Sequence, residues 1–275
     1  MERTLFHGSV AEKRAARLAH RHVESPASPG PACQNRSVKK LVFIPAWNEE
    51  QSIEAVIADA REHVPGADVM VVDDGSTDRT PELARRAGAL VASLPFNQGV
   101  GAAHQTAYIY ALRHGYEICG QLDGDGQHPA SEVARLIEAV EEGADLAVGS
   151  RFADDVNPDI PEYRSTFARR LGQRLFSLLV STSTRQTFTD TTSGMRALNV
   201  RAMEMFAERY SSEFAEVESL QQAVRAGLTV REVPVHMVPR EHGHSFITPL
   251  TSAFYIFKTL VVLLIGQLRP RQVDQ

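Results

Sequence analysis

Cysteine is scarce in this chain, and its scarcity excludes several ways of stabilising a protein. Two cysteines occur among the 275 residues, Cys33 and Cys119, and they lie far apart in the sequence. Such a pair provides neither a disulfide framework nor the spacing of a cysteine metal site. The chain is 43% hydrophobic, so it can bury a full core instead, and its cysteine usage predicts a reducing compartment.

An N-terminal apolar run is also missing, although the N-terminal region is basic. Residues 1–40 carry eight Lys or Arg against three Glu, whereas the net charge of the whole chain is −5. Because no apolar core follows these charges, we do not expect a secretory signal peptide. The stretch SPASPGP at 25–31 is typical of a linker, since Pro and Gly leave little backbone able to join regular structure. We predict that residues 1–37 form a flexible basic tail, in preference to an arm that binds nucleic acid or a membrane.

Short apolar runs alternate with amphipathic stretches from Lys40 onward. This pattern predicts a mainly parallel sheet covered by helices. The predicted strands are 41–45, 67–74, 89–94, 117–123 and 144–150. The predicted helices are 49–64, 80–87, 101–114 and 129–142, with proline at the start or glycine past the end of several of them. The sequence therefore predicts one α/β domain, which we place at 38–245.

Polar residues follow four of the predicted strands at the point where each strand ends. They are Pro45, Asn48 and Glu49, then Asp73 and Asp74, then Asn97, Gly99 and Gly101, and finally Asp123 and Asp125. Any one of these clusters on its own could be an ordinary capped turn. Because the carboxyl ends of parallel strands share one edge, where ligands bind, the four clusters together predict a single site.

The stretch GQLDGDGQHP at 120–129 places two carboxylates one residue apart in a glycine-containing loop. Asp123 and Asp125 can both reach one hard divalent cation and leave coordination positions for phosphate oxygens. Gln127 could add a third oxygen, directly or through water. We predict Mg²⁺ or Mn²⁺ here, bound together with a diphosphate. An EF-hand is excluded because its further ligand positions are lacking, while a solvated acidic turn without metal stays open as the alternative.

The signatures of two other nucleotide-binding classes are incomplete. GVGAAH faintly resembles the glycine-rich turn of a dinucleotide-dependent dehydrogenase, but it lacks the third glycine and follows the third predicted strand rather than the first. PAWNEE, at the end of the first predicted strand, lacks the glycine-rich, basic signature expected of a nucleotidyltransferase. Gly99 and Gly101 could also serve only to start a helix.

Seven motifs carry a family resemblance. IPAWNEE, VVDDGSTD, NQGVGAAHQTA, LDGDGQHP, VGSRF, DTTSGMR and REHGHS occur in this order from about residue 40 to 245. Asp123-Gly-Asp125 resembles the DxD motif of GT-A glycosyltransferases, and the ordered series resembles the family 2 enzymes typified by dolichol-phosphate mannosyltransferase and bacterial polyprenyl-phosphate glycosyltransferases. The resemblance implies a GT-A type three-layer α/β/α sandwich with a mainly parallel sheet. Trp47 departs from the family pattern, in which Tyr is more usual.

The resemblance implies a donor pocket built from the ends of the first four strands. A carboxylate there can accept hydrogen bonds from ribose hydroxyls or a base N–H, and glycines let the backbone pass close to the donor. The residues implied to bind the donor nucleotide are Pro45, Ala46, Asn48, Glu49, Asp73, Asp74, Asn97, Gly99, Gly101, Asp123 and Gly124.

The acceptor side is implied to lie in the second half of the chain. DTTSGMR at 190–196 would place Asp190 near the reacting centre and Arg196 on a phosphate, a role that suits a planar guanidinium. REHGHS at 240–245 would close over the diphosphate. Without the family, a surface salt bridge is the simpler interpretation of each arginine. The implied catalytic residues are Asp125, Asp190 and Arg196, and the implied phosphate ligands are Arg151, Arg196, Arg240 and Ser245.

Together the motifs imply an inverting glycosyltransferase that moves a sugar from a nucleotide-diphosphate donor to a polyprenyl phosphate. Such an acceptor is already ionised, so Asp190 would orient it, whereas a sugar hydroxyl would need Asp190 as a base. The expected location is peripheral, at the cytoplasmic face of a membrane, without a nucleic-acid partner and with homo-oligomer formation left open. Two alternatives stay open: a soluble saccharide or other hydroxyl acceptor, and a non-catalytic protein that binds sugar nucleotides.

An apolar stretch, FITPLTSAFYIFKTLVVLLIGQ, follows at 246–267. A helix from Pro249 to Gly266 would extend roughly 27 Å, short of a hydrocarbon core of ~30 Å. Lys258 in its middle is costly inside a membrane unless it snorkels. We predict that residues 246–275 form an apolar helix with a polar tail, and that the helix lies at the membrane interface or packs on the domain or a second subunit.

Overall fold

The computed structural model of the chain describes residues 38–152, 177–178, 180–182, 186–208, 210 and 215–236. Several predictions concern residues outside these ranges, and they stay predictions. They are the basic tail at 1–37, the phosphate ligands Arg240 and Ser245, and the apolar helix at 246–275. Within the described ranges, no helix is both long enough and apolar enough to cross a membrane.

The described strands form a single seven-stranded sheet. They are β1 Lys40–Ala46, β2 Asp68–Asp73, β3 Leu90–Ser93, β4 Ile118–Gln121, β5 Leu146–Ser150, β6 Arg196–Asn199 and β7 Val230–Pro234. Their order across the sheet is β3-β2-β1-β4-β6-β5-β7. The first five strands lie where the apolar runs predicted them, whereas β6 and β7 were not predicted.

One strand runs against the others and brings an additional loop to one edge of the sheet. The pairs β1–β2, β1–β4, β2–β3 and β5–β7 are parallel. β6 lies antiparallel between β4 and β5, with Leu198 opposite both Cys119 and Leu146. The residues that precede β6 therefore lie at the edge where the other strands end. We call this edge the carboxyl edge and the opposite one the amino edge.

Six helices in the described ranges cover both faces of the sheet. They are α1 Ile53–His63, α2 Thr80–Arg86, α3 Val100–Arg113, α4 Ala130–Glu141, α5 Val200–Glu208 and α6 Ala215–Arg225. β1 shows how the layers form, because its side chains alternate between the faces. Val42 and Ile44 share a buried cluster with α1, α2 and α4, whereas Leu41 and Phe43 share one with α3, α5 and α6. This arrangement confirms the predicted three-layer α/β/α architecture with a mainly parallel sheet.

Proline and glycine set the ends of two helices, as predicted. Pro81 lies in the first turn of α2, and Pro129 directly precedes α4. The first turn of a helix leaves its N–H groups unpaired in any case, so the missing N–H of proline costs little there. Gly88 and Gly143 follow the ends of the same helices with φ of 80° and 109°, a conformation that favours glycine. Both helices begin at the carboxyl edge, so their N-terminal prolines lie where the loops after β2 and β4 end.

Candidate active site

Loops from both halves of the chain meet at the carboxyl edge. Ala46 pairs with Asp73 in the sheet, and Phe43 pairs with Gln121, so β1, β2 and β4 end side by side. The loop at 190–195, which precedes β6, reaches the same edge because β6 is antiparallel. Its last residue lies beside β5, where Gly149 N–H donates to the Met195 carbonyl at 2.9 Å. The DxD and DTTSGMR motifs therefore lie on one edge although they are distant in the sequence.

The loop after β1 is bonded to the loop after β2. Asn48 N–H donates to Ser76 Oγ at 2.9 Å, and Asn48 Oδ1 accepts the N–H of Thr77 at 2.8 Å. Glu49 N–H donates to Thr80 Oγ1 at 2.8 Å. Asn48 has φ of 56°, in the left-handed region that asparagine tolerates better than most residues. In this structure Asn48 bonds to the loop after β2, which borders the predicted donor pocket. Direct contact of Asn48 with the nucleotide stays a prediction.

The two aspartates after β2 also bond to backbone. Asp74 accepts the N–H groups of Gln98 at 2.7 Å and Gly99 at 2.9 Å, one on each carboxylate oxygen. Asp73 Oδ1 accepts the N–H of Ser76 at 3.0 Å. Both aspartates are buried. Each one positions a loop that borders the predicted pocket, and their predicted contacts with the nucleotide are additional to these bonds.

The remaining donor residues occupy different positions at the edge. Pro45 and Ala46 end β1, and Asn97 is exposed in the loop before α3. Gly99 precedes the first residue of α3 with φ of 92°, which requires glycine. Gly101 is buried in the first turn of α3. Both glycines thus lie where the helix starts, as the simpler interpretation proposed, and this start is at the carboxyl edge.

The DxD loop packs directly on the loop after β1. A Cβ atom at Gly124 would lie 3.1 Å from the Pro45 carbonyl oxygen and 3.5 Å from Glu49 Cγ. The Gly124 carbonyl accepts the Ser52 hydroxyl at 2.7 Å. A side chain at 124 would require the Pro45 backbone to shift, so the glycine in the motif has a packing reason.

Asp123 and Asp125 are held by different neighbours. Gln121 Nε2 donates to Asp123 Oδ1 at 3.1 Å. His128 Nδ1 lies 3.3 Å from Asp123 Oδ2, without the angles of a hydrogen bond. Asp125 Oδ1 accepts the N–H of Gln127 at 3.0 Å. The Asp123 side chain is 34% exposed, so this carboxylate is accessible to a ligand.

These residues suit a hard divalent cation that is shared with a diphosphate. Two carboxylates and the Gln127 amide supply oxygen ligands, which Mg²⁺ and Mn²⁺ prefer, and leave positions for phosphate oxygens. Within the described ranges, no group of three or more His, Cys, Asp or Glu side chains lies close enough together to hold a metal ion. Joint binding of a cation by these side chains and a donor diphosphate stays a prediction.

A buried ion pair joins the loop after β5 to the loop that precedes β6. Arg151 Nε donates to Asp190 Oδ2 at 2.6 Å, and Arg151 Nη2 donates to Asp190 Oδ1 at 2.9 Å. The side chains are 7% and 0% exposed, respectively. Arg151 directly follows β5, and Asp190 begins the 190–195 loop. A carboxylate bound by a guanidinium through both oxygens is well placed to orient that arginine and poorly placed to accept a proton.

Glu232 in β7 supports this ion pair and was missed by the sequence analysis. Its carboxylate accepts the N–H groups of Thr189 at 2.9 Å and Asp190 at 2.8 Å. Burial raises the pKa of Glu232, and these backbone hydrogen bonds offset only part of that rise. The signal in the sequence is VREVP, in which an acid lies between apolar residues of a short strand. Because no strand was predicted there, this glutamate was not considered.

Arg196, which was predicted to bind phosphate, is 1% exposed. Its Nε donates to the Ser193 carbonyl at 3.3 Å, and its terminal nitrogens donate to the Ser219 hydroxyl and the Glu216 carbonyl. Arg196 therefore links the 190–195 loop to α6. A contact with phosphate would require these bonds to be exchanged, and that role stays a prediction.

His104 in α3 is a second buried residue that the sequence analysis did not single out. Its ring stacks on Tyr210 with centroids 5.4 Å apart and meets Phe43 edge-on at 5.3 Å. Burial lowers the pKa of His104, although the carboxylates of Glu216 and Asp123 act in the opposite direction. The ring thus lies in the core beneath the site, within the electrostatic reach of the DxD loop.

Known proteins resemble this chain over most of its length. The model of the family described as Glycosyl transferase family 2 matches residues 41–206. A polyprenol monophosphomannose synthase from Mycolicibacterium smegmatis is 29% identical over 231 residues, which cover 81% of this chain and 86% of that protein. An undecaprenyl-phosphate mannosyltransferase from Micrococcus luteus is 31% identical over 219 residues, which cover 76% and 87%, respectively.

A solved structure shares the fold. Glucosyl-3-phosphoglycerate synthase from Mycobacterium tuberculosis, in complex with Mn²⁺, UDP and glucosyl-3-phosphoglycerate, superposes with a TM-score of 0.64 at 21% identity. The match covers 88% of this chain and 86% of that one. At this identity the likeness establishes the GT-A fold alone. The family match, which spans more than half of the chain, establishes more: the chain belongs to glycosyl transferase family 2 and is a glycosyltransferase.

Proposed function

We propose that this glycosyltransferase moves a sugar from a nucleoside diphosphate to a polyprenyl phosphate, with inversion at the sugar carbon, at the cytoplasmic face of a membrane. The names of two relatives, a polyprenol monophosphomannose synthase and an undecaprenyl-phosphate mannosyltransferase, support a lipid-linked phosphate as the acceptor. A related fold crystallised with Mn²⁺ and UDP supports a nucleoside diphosphate donor.

One contact carries the proposal: the 190–195 loop touches the DxD carboxylate. A Cβ atom at Gly194 would lie 3.5 Å from Asp123 Oδ2. The same loop begins at Asp190, which holds the guanidinium of Arg151. A carboxylate suited to a cation and an arginine suited to a phosphate are thus connected by one short loop. This is the arrangement needed to bring a donor diphosphate and an anionic acceptor together.

The donor would lie over the ends of β1, β2 and β4. Asp123, Asp125 and Gln127 would hold Mg²⁺ or Mn²⁺ together with the donor diphosphate, and the bound cation would stabilise the charge that develops on the leaving group. The loops held by Asp73 and Asp74 would border the nucleoside. Their bonds to backbone N–H groups keep those loops ordered before the donor arrives, which reduces the entropy lost on binding.

The acceptor phosphate would bind beside Arg151, at the Asp190 end of the 190–195 loop. A phosphate oxygen is ionised near neutral pH, so its attack needs no strong general base, and the paired state of Asp190 fits an orienting role. The planar guanidinium of Arg151 would stay paired with Asp190 and bind a phosphate oxygen through N–H groups that do not face that carboxylate. The oxygen would form its bond to the sugar carbon while the bond to the donor diphosphate breaks, and a single displacement of this kind inverts the configuration. Arg240 and Ser245 are proposed to complete the phosphate contacts.

Turnover of sugar nucleotides by the full chain tests this function. Purified protein would be incubated with UDP- and GDP-sugars, Mn²⁺ or Mg²⁺, and polyprenyl phosphate in anionic vesicles, and the glycolipid would be identified by mass spectrometry and NMR. We expect a product of inverted configuration that is lost in Asp125→Asn. A chain that ends at Ser245 should retain transfer to a short soluble analogue and lose much of its transfer in vesicles, because residues 246–267 are proposed to hold it at the surface. Transfer to soluble saccharides with no product on either phosphate acceptor would contradict the proposal.

A further inference from the structure

Gln121, at the end of β4, is a buried amide whose hydrogen-bonding capacity is only partly used. The residue is 2% exposed. Its Nε2 donates to Asp123 Oδ1 at 3.1 Å, whereas its Oε1 makes no hydrogen bond of good geometry in the described residues, although the His104 ring lies close enough to the amide to interact with it. An apolar side chain would satisfy the packing of this position without an unpaired oxygen. The amide therefore calls for a reason other than packing.

The orientation of the amide follows from its neighbour. An ionised carboxylate can only accept hydrogen bonds, so the nitrogen of Gln121, and not its oxygen, has to face Asp123. The oxygen lies in the same amide plane and points away from Asp123. The Gln121 side chain also interacts with the buried ring of His104, which is itself stacked on Tyr210. The donor that faces Asp123 is therefore held from behind by packed rings.

Gln121 and Asp123 are enclosed by a strand and a loop. Gln121 pairs with Phe43 in the sheet, and the next residue, Leu122, donates its N–H to the Phe43 carbonyl at 3.0 Å. On the other side, a Cβ atom at Gly194 would lie 3.3 Å from Gln121 Nε2 and 3.5 Å from Asp123 Oδ2. The backbone of β4 is thus fixed by β1, and the 190–195 loop limits how far the two side chains can turn.

We propose that Gln121 is a positioning residue that fixes the Asp123 carboxylate in the orientation that binds the divalent cation. The inference rests on the proposed function, because the cation belongs to the donor complex. Gln121 acts through Asp123, and in this arrangement it contacts neither the cation nor the sugar. A donor bonded to one carboxylate oxygen restricts rotation of the carboxylate before the cation arrives, and partners of this kind contribute strongly to metal affinity.

A purely structural role makes the opposite prediction. If Gln121 only packs β4, its replacement should lower stability and leave metal affinity unchanged. If it positions Asp123, an apolar residue of similar length should lower metal affinity without lowering stability, because an oxygen that lacks a hydrogen bond of good geometry disappears together with the donor. The two roles can therefore be separated by measuring both quantities on the same variants.

The test uses the full chain and three variants. Gln121→Met removes the donor at similar length, and Gln121→Glu keeps the shape but replaces the N–H donor with oxygen. Asn199→Leu is the matched control, because it removes an amide from the neighbouring strand at the opposite edge, where Asn199 Nδ2 donates to Asp145. Mn²⁺ affinity would be measured by calorimetry or electron paramagnetic resonance in saturating UDP or GDP, and Tm would be measured by thermal melting.

We expect both Gln121 variants to bind Mn²⁺ about tenfold more weakly, with the Tm of Gln121→Met equal to or above that of the wild type. Asn199→Leu should lose Tm and keep its Mn²⁺ affinity. Unchanged Mn²⁺ affinity in both Gln121 variants would overturn the positioning role while leaving the proposed function intact. If the wild-type chain itself bound no Mn²⁺ with any nucleoside diphosphate, the proposed function would fail first, and this inference would fail with it.

Discussion

The two edges of the sheet differ in how completely their buried polar atoms are hydrogen-bonded. At the amino edge, Asp145 accepts Thr229 N–H at 2.7 Å, Asn199 Nδ2 at 2.8 Å and Arg201 Nη1 at 3.1 Å. At the carboxyl edge, three buried side-chain atoms lack a hydrogen-bond partner in the described part of the chain: Gln121 Oε1, His128 Nδ1 and Thr191 Oγ1. Native proteins rarely leave such atoms unpaired without a reason. The contrast indicates that the amino edge stabilises the sheet, while the carboxyl edge keeps polar capacity that the fold does not use.

The free energy of one buried hydrogen bond is a substantial fraction of the free energy that stabilises a whole domain. A buried polar group without a partner costs about 1–3 kcal/mol, and a whole domain is stable by only about 5–15 kcal/mol. Removing the bonded carboxylate of Asp145 at the amino edge should therefore cost more stability than removing an atom that lacks a hydrogen bond at the carboxyl edge. Substitutions at the two edges should accordingly affect different properties.

Asp125→Asn should separate function from stability most strongly. Turnover should fall by about 1000-fold, because a cation ligand that stabilises the leaving diphosphate is worth several kcal/mol in the transition state. The Tm should change little, since asparagine retains an oxygen that can accept the N–H of Gln127. Initial rates and melting curves of one preparation check both statements, and a chelator should reproduce the loss. Full activity of the variant in the presence of chelator would contradict the metal assignment.

Arg196→Ala tests whether this buried arginine stabilises the fold or binds a phosphate. We expect a loss of about 3 kcal/mol in the free energy of unfolding, because Ser219 and two backbone carbonyls lose their charged donor. Urea titration measures this loss, and Arg196→Lys, which keeps the charge, should lose less. Nucleotide affinity of the folded protein should stay near the wild-type value. If stability were unchanged while transfer to a lipid phosphate fell, the predicted phosphate role would be supported instead.

Asp145→Asn should affect acid stability at the amino edge and leave turnover unchanged. Burial acts to raise the pKa of Asp145, but hydrogen bonds from Thr229, Asn199 and Arg201 outweigh it and hold the pKa below the ordinary 3.8. A lowered folded-state pKa contributes stability that is present above the unfolded-state pKa and is lost as the pH falls through the folded-state value. The variant should therefore lose about 2 kcal/mol near neutral pH and less in acid. Urea titrations at several pH values check this. An equally steep acid limb in variant and wild type would contradict it.

Asp74→Ala should have the smallest of these effects, and it acts on the donor loop. Removing the carboxylate frees the N–H groups of Gln98 and Gly99, so the loop before α3 has to be ordered by the nucleotide itself. We expect about tenfold weaker binding of UDP or GDP by calorimetry, equivalent to about 1.4 kcal/mol. Asp74→Asn keeps one acceptor and should lie between the two. An equal loss of nucleotide affinity in Arg196→Ala would show that Arg196 also serves the donor.

The sequence predicted the parts of the fold that local patterns encode. Short apolar runs predicted β1 to β5, and amphipathic stretches predicted α1 to α4. Each of these elements carries its own apolar period, and several have Pro or Gly at their ends. β6 has four residues, RALN, and its place between β4 and β5 depends on partners that lie far away in the chain. No local pattern contains that information. The antiparallel insertion was therefore not predicted.

The candidate site was predictable in its location but not in what its side chains bind. Asp123 and Asp125 follow β4 at the carboxyl edge, as the spacing of the motif indicated. The sequence could not show that Asp74 bonds to backbone N–H groups or that Arg196 points into the core, because a charged residue in a loop reads the same whether it faces a ligand or the protein. Glu232 was missed for the same reason as β7: its partners come from a loop more than forty residues earlier.

The antiparallel placement of β6 has a consequence for how the chain folds during its synthesis. β5 pairs with β6 and β7, both of which follow it in the chain. While the polypeptide emerges from the ribosome, β1 to β4 can pair with one another, but β5 has to wait until residue 199 has been made. A nascent chain that ends between β4 and residue 190 contains the DxD loop but not yet the loop that carries Asp190. The DxD loop and the 190–195 loop can therefore come together only after β6 has been inserted between β4 and β5.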